Sequence, residues 1–259
     1  MKKTKIYNFF RILYYICIEV YFQIYKYFRI FISNSRYEKL SSLHNKYEGE
    51  RCFIVATGPS LTIEDLEKIK HEYCFGMNSV VKLFDRTEWR PTFYGCQDPG
   101  VYRQLKYDID NSHFEYKFYG SFLKMYFKLT DEYVEFPIDL MNHPYNFKNY
   151  TTKFSDNCDI VVYDGFSITY SLMQIAVYMG FKEIYLLGTD CDYSGERMHV
   201  VEYKDKFISG KDSITNRLLY AFSVAADFAN SHDVRIYNAT RGGKLEIFER
   251  INLDDLILK

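Results

Sequence analysis

The chain has 259 residues, 47% of them hydrophobic, and a formal net charge of -1. That length supports a sizeable core in one large or two small domains. The charge excludes a surface built wholly for nucleic acid. Six scattered cysteines (Cys17, Cys52, Cys74, Cys96, Cys158, Cys191) form no CxxC, so they offer neither zinc spacing nor a disulfide framework. Reduced cytosolic thiols fit that pattern.

Residues 1–36 differ from the rest. From Lys5 to Ser33 the chain is dominated by Tyr, Phe, Ile and Leu, without Pro or Gly, which predicts a long helix. Its apolar runs are shorter than the roughly 20 residues of a bilayer span. It also lacks the apolar core and small-residue cleavage site of a secretory signal peptide. Lys2, Lys3, Lys5, Arg11, Lys26, Arg29 and Arg36 outweigh the lone Glu19. Basic residues among aromatics suit an amphipathic helix on an anionic membrane surface, here the cytoplasmic face of the cell membrane. The alternatives are packing on the domain or on a second subunit of a homo-oligomer, and a true span of the bilayer. Residues 37–50 read as a polar linker or short helix, and residues 51–259 as the globular domain.

Within that domain, Cys52 to Ala56 reads as a strand ending in the turn Thr57-Gly58-Pro59-Ser60. Thr62 caps a helix running to about Lys70, with Glu64 and Asp65 in its first turn. Tyr73 to Met77 predicts a second strand ending at Asn78, and Thr92 to Cys96 a third ending at Gln97-Asp98-Pro99. Glu115 to Tyr119 is a fourth. Residues 120–158, with Pro137 and Pro144, show no clear period and suit a lid or acceptor-side insertion. Asp159 to Tyr163 is the next strand. Ser167 to Gly180 follows as a helix with Gly180 at its C′ position. Glu183 to Leu187, a helix over Ser213 to Asn230, and the strand Val234 to Tyr237 complete the series. This alternation predicts an α/β domain: a doubly wound, mainly parallel sheet with helices on both faces.

Ligands in such sheets bind beyond the carboxyl ends of strands. The sharpest edge is Gly188-Thr189-Asp190-Cys191-Asp192-Tyr193, with His199 nearby. A carboxylate there orients a hydroxyl or holds Mg²⁺, tyrosine donates to a phosphate, and histidine takes a proton from an acceptor. Asp190, Tyr193 and His199 are the candidate catalytic residues. Asp190 and Asp192 form a D-x-D spacing compatible with Mg²⁺. Thr57, Gly58, Pro59 and Ser60 suit a phosphate, because a glycine turn brings backbone close to a ligand and the next helix offers its N–H groups. Neither a Walker motif nor GxGxxG is present. Asn78, Gln97 and Asp98 sit at further strand tips suited to a base or ribose. Ser167 and Thr169 open a helix, as plain cap or as anion holder. Asn238 and Thr240 end the last strand.

Phe53 to Leu61, Asn78, Gln97-Asp98-Pro99, Gly165 to Gly195 with His199, and Tyr237 to Gly243 together resemble the Maf/MptE-like family. That family includes motility accessory factors, which transfer nonulosonic sugars, and archaeal hydroxymethylpterin diphosphokinases. Gly58-Pro59-Ser60-Leu61 and Phe181 to Leu186 with the later His are also similar to Rossmann-like bacterial sialyltransferases. Those carry Asn where Thr57 stands here. The resemblance implies a Rossmann-like fold and a nucleotide-sugar donor, CMP-linked by preference. It also implies His199 as base with no obligatory metal. The basic aromatic N-terminal segment fits surface-glycan assembly with a surface-glycan or lipid-linked acceptor, as in capsule or cell-wall polysaccharide synthesis. The family's other branch implies Mg²⁺-dependent diphosphoryl transfer from ATP. A non-catalytic, membrane-attached scaffold of polysaccharide assembly is the third expectation.

Overall fold

The computed structural model describes residues 35–140, 152–193, 199–200 and 211–257. It also describes Leu13, Ile16, Cys17, Val20, Ile24, Tyr27 and Phe28, which are helical and exposed. The other positions of the expected N-terminal helix lie outside the described residues.

Eight strands form one sheet, in the order β10-β9-β8-β1-β2-β3-β4-β5. They are β1 (Arg51–Val55), β2 (Cys74–Met77), β3 (Phe93–Cys96), β4 (Tyr116–Gly120), β5 (Tyr133–Phe136), β8 (Glu183–Leu187), β9 (Arg235–Asn238) and β10 (Glu249–Arg250). Every pairing among them is parallel. A short parallel pair, β6 (Ile138–Asp139) and β7 (Val162–Tyr163), stands beside it.

The strands are apolar runs because both faces are covered. Cys52, Ile54, Ile184 and Leu186 turn to one core, while Phe53, Val55, Tyr185 and Leu187 turn to the other. This alternation follows the two-residue period of a strand. The first core is closed by α1 (Glu38–Ser41), α4 (Ile168–Tyr178) and α5 (Lys211–Ser231). The second is closed by α2 (Ile63–Lys68), α3 (Pro99–Asp110) and α6 (Leu253–Ile257). The expected doubly wound Rossmann-like architecture is therefore present.

Several boundaries differ from expectation. Of the two readings of residues 37–50, linker or short helix, the structure has the short helix α1, and it packs on the domain: Tyr37, Leu40, Leu43 and Tyr47 are buried in the first core. Its backbone is tied to the end of α4, with Asn45 N–H donating to Tyr178 O at 3.1 Å and Tyr47 N–H to Met179 O at 2.8 Å. The polar residues that suggested a linker lie on its outer side. Asp98 does not merely mark a turn but starts α3. Part of the segment read as a lid or insertion supplies the edge strand β5 and the 3₁₀ turn Ser121–Met125. Residues 141–151 of it lie outside the described residues.

Candidate functional site

The chain winds from β1 outward to β5 and then returns to the other side of β1 with β8. The sheet's topological switch point is therefore between β1 and β8, where open α/β sheets place their ligands. A cleft opens there. Ala56, Thr57 and Gly58 line it from the β1 tip, and Gly188 to Tyr193 from the β8 tip. Met77 and Asn78 add the β2 tip, Ser167, Ile168 and Thr169 the start of α4, and His199, Leu218 and Phe222 complete the wall.

Local chemistry explains how the tips meet. Gly58 N–H donates to Gly188 O at 2.8 Å, and Leu61 N–H closes a turn on Gly58 O at 3.2 Å. Pro59 holds the second position of that turn, where its fixed φ fits. Gly188 has φ +62°, and a Cβ there would stand 2.6 Å from Ala56 O. Val200 N–H donates to Thr57 O at 2.8 Å, which sets His199 beside the β1 tip. Thr240 Oγ1 accepts from Thr189 N–H at 3.0 Å and so fixes the β8 tip from β9.

Asp190 is the buried carboxylate of the cleft, 8% exposed. Ser60 Oγ donates to its Oδ2 at 2.8 Å. Burial raises its pKa above the usual carboxylate value, while the Ser60 hydrogen bond opposes the rise. Asp192 pairs with Lys244 at 2.9 Å. Burial pushes the Cys191 thiol up to about 12, so it stays protonated near neutrality and is no nucleophile. Asn78 Oδ1 is buried without a hydrogen-bond partner among the described residues, an acceptor left for a ligand donor. Asn78 (φ 46°) and Cys191 (φ 52°) both hold left-handed backbone at the cleft wall. Such conformations gather at functional sites, where the surroundings over-determine them.

Two helix starts were candidates for an anion. The N-terminus of α2, after the Gly-Pro-Ser turn, is satisfied from within. Thr62 Oγ1 accepts from Asp65 N–H at 3.2 Å and Asp65 Oδ2 accepts from Thr62 N–H at 3.1 Å, a capping box. Asp65 is paired in turn with Arg241, at 2.7 Å from Nη1. The start of α4 faces the cleft and carries no acidic residue in its first turn. Its dipole end is thus available to a negative group. Ser167 caps it, accepting from Thr169 N–H at 3.1 Å.

Of the sequence candidates, Thr57, Gly58, Asn78, Ser167, Thr169, Asp190, Tyr193 and His199 line one cleft. Pro59 and Ser60 stand behind it, Ser60 acting through Asp190. Gln97 is turned aside: its amide donates to Asp164 Oδ1 at 3.2 Å and its Oε1 accepts from Ser171 Oγ at 2.8 Å. Asp98 caps α3, accepting from Gly100 N–H at 2.6 Å and Val101 N–H at 2.9 Å. Asn238 is fully buried and bonds Leu245 O and Thr240 N–H, while Thr240 positions Thr189. These four do not line the cleft. Sequence reading missed Leu218 and Phe222, whose apolar spacing on α5 looks like any core face. It also missed Lys244, whose role depends on a fold-back that no local pattern signals.

The chain matches no curated protein sequence. Among solved structures, the Maf glycosyltransferase from Magnetospirillum magneticum AMB-1 superimposes with a TM-score of 0.50 at 16% identity, over 83% of this chain and 37% of that one. This chain thus spans little more than a third of that enzyme, and the likeness is one of fold. The Campylobacter jejuni sialyltransferase CstII with a substrate analogue, cytidine-5'-monophosphate, gives a TM-score of 0.36 at 12% identity, over 79% and 85% of the two chains. A CMP complex of a CST-II sialyltransferase variant gives 0.43 at 14% identity, over 78% and 86%. The sequence profile of the 6-hydroxymethylpterin diphosphokinase MptE-like family matches residues 28–196, from the N-terminal segment through the β8 tip, and the chain belongs to that family.

Proposed function

We propose that the chain is a glycosyltransferase that binds a nucleotide-activated sugar in the switch-point cleft. The observation that carries this reading is the convergence of the β1, β2 and β8 tips with the α4 N-terminus around one cleft that also holds His199. The fold shared with the Maf glycosyltransferase is consistent with it. In this reading the α4 start and Ser167 hold phosphate, and Asn78 Oδ1 accepts from the nucleoside. Asp190, braced by Ser60, orients a sugar or ribose hydroxyl, with Tyr193 beside it. His199 takes the proton of the acceptor hydroxyl as its oxygen attacks the anomeric carbon. The bond from that carbon to the donor phosphate breaks, and the nucleotide leaves with the electron pair. The resemblance of Gly58 to Leu61 and Phe181 to Leu186 to sialyltransferases makes a CMP-linked acidic sugar the first donor to test. A surface glycan or lipid-linked oligosaccharide is the acceptor class.

The family match favours a second reading, diphosphoryl transfer from ATP, which needs Mg²⁺ between the phosphates. Asp190 and Asp192 both line the cleft, but Ser60 engages one and Lys244 the other. Among the described residues no three His, Cys, Asp or Glu side chains form a metal site. The residues therefore do not fit a protein-built Mg²⁺ cage.

Thermal shift with CMP, UDP, GDP, CDP and ATP, each with and without Mg²⁺, separates the readings. A cytidine nucleotide at about 100 times its Kd should stabilise the fold by about 2.7 kcal/mol without metal. Stabilisation by ATP alone, and only with Mg²⁺, would favour the diphosphokinase. No response to any nucleotide would favour a non-catalytic scaffold.

A further inference from the structure

A second hollow opens on the same sheet, away from the switch point. Arg36 and Lys39 line it from α1 and the turn before it, Tyr119 and Glu135 from β4 and β5, and Lys124 from the turn after β4. Tyr119 and Glu135 are partners across the β4–β5 ladder, so their side chains leave the sheet on one face. Each stands one residue before the carboxyl end of its strand. The hollow therefore shares the rim of the cleft. It is nonetheless separate, because β4 lies three strands from β1, roughly 14 Å at ordinary strand spacing.

Glu135 is buried, and each of its oxygens is taken. Arg36 Nε donates to Oε1 at 2.8 Å and Lys124 Nζ to Oε2 at 2.5 Å. One buried carboxylate thus serves two cations, and Lys39, whose ammonium donates to Asp131 O, adds a third. Among the described residues Lys39 and Lys124 each use one of three N–H donors on the protein. Glu38 and Asp131 also border the hollow, but both are exposed and neither carboxylate enters an ion pair among the described residues, so solvent screens them. Tyr119 is 2% exposed, and its hydroxyl has no hydrogen-bond partner among the described residues. Its ring packs edge-on against Tyr133, with centroids 4.9 Å apart. Burial raises the pKa of this hydroxyl, Glu135 raises it further and Arg36 opposes the rise. The hydroxyl therefore keeps its proton and lies in the field of the groups around the hollow. Ion pairs alone would clamp α1 to the edge strand, and a phenylalanine in place of Tyr119 would serve that clamp equally well. A buried hydroxyl that bonds to nothing in the protein is left for a ligand.

We propose that this hollow is a second ligand site, which binds a phosphoryl group, as free phosphate or as its monoester, through Tyr119, Lys39 and Lys124. Two ammonium groups and a phenol line one hollow in which the buried carboxylate is already neutralised. Such a set suits a group rich in acceptor oxygens and negative charge, and a phosphoryl group carries three such oxygens on one atom. A neutral, hydroxyl-bearing ligand would need acceptors in return, and both oxygens of Glu135 are occupied. The inference rests on no assumption about the reaction in the cleft.

The test is titration of the full chain with glycerol 1-phosphate, and separately with inorganic phosphate, followed through backbone amide shifts by nuclear magnetic resonance. Saturable shifts should gather at Tyr119, Lys124 and Glu135, and added salt should weaken the binding. Tighter binding of glycerol 1-phosphate would make an ester the ligand, and equal binding the ion itself. Tyr119→Phe should weaken the binding about tenfold, read at the Lys124 amide, as for the loss of one hydrogen bond to a charged group. Its Tm should stay level or rise, because no hydrogen bond within the protein is lost. Lys39→Gln should weaken the binding severalfold. Shifts confined to Ser167 to Thr169 would place the anion in the cleft alone and overturn the proposal. So would binding unchanged in both variants, the absence of saturable shifts at the hollow, or a lower Tm in Tyr119→Phe, which would show that the hydroxyl already serves the fold.

Discussion

Gly58 and Asp190 meet so closely that a Cβ on Gly58 would stand 1.9 Å from Asp190 Oδ2 and 2.4 Å from Gly188 O. One motif ends β1 and the other ends β8. The glycine is required because the other strand's tip occupies the space a side chain would need.

Gly58→Ala is therefore expected to lose about 1–3 kcal/mol of stability, since the backbone carbonyl of Gly188 cannot yield as a side chain can. Differential scanning calorimetry reads this as a drop of several degrees in Tm. An unchanged Tm would mean that the two tips are not this close.

Ser60→Ala removes the hydroxyl that donates to buried Asp190. Burial already raises the Asp190 pKa in the folded state. The folded protein thus binds this proton more tightly than the unfolded chain, and the group's contribution to stability falls as pH rises from the unfolded value through the folded one. Losing the Ser60 bond raises the folded value further. Ser60→Ala should cost about 1–2 kcal/mol at neutral pH and progressively less in acid, as Asp190 becomes neutral. Urea unfolding across that range checks it, and an equal loss at every pH would contradict it. Asp190→Asn should remove the difference between the two backgrounds.

Arg241→Gln should cost about 1–3 kcal/mol, because Asp65 is buried and, among the described residues, would keep Thr62 alone as a polar partner. Arg241 belongs to the same loop as Lys244, whose N–H donates to Asp190 O at 2.7 Å. Thr62→Ala and Arg241→Gln act on one carboxylate, so their double variant should depart from additivity in denaturant melts. Simple addition would show that the network is not shared.

His199→Ala should lower kcat for sugar transfer by about 10²–10⁴-fold while leaving nucleotide affinity near that of the parent. The backbone bond from Val200 to Thr57 survives the change, so the loss would belong to the imidazole. Full turnover in this variant would remove the base assignment.

The fold was largely legible from periodicity. The β1 and β8 runs are apolar without interruption, as buried parallel strands are, and Ser167 and Gly180 bracket α4 as cap and C′ residue, Gly180 at φ +99°. The cleft was legible in its strand tips. Where it was not, one residue type served two ends. Asp98 and Asn238 are polar groups after strands, like Asp190 and Asn78, yet they satisfy local backbone donors and acceptors. Only the three-dimensional path distinguishes a cap from a ligand. The α2 start looked open to phosphate, but the Thr62–Asp65 box and Arg241 fill it. Leu40 and Tyr47 were hidden among charged neighbours, so the segment carrying them resembled a linker.

The most direct measurement is the structure of a complex with CMP or an unreactive CMP-sugar. The nucleoside should lie by Asn78, the phosphate at Ser167 to Thr169, and the sugar between Asp190 and His199. A nucleotide bound elsewhere, with the cleft between β1 and β8 empty, would contradict the account.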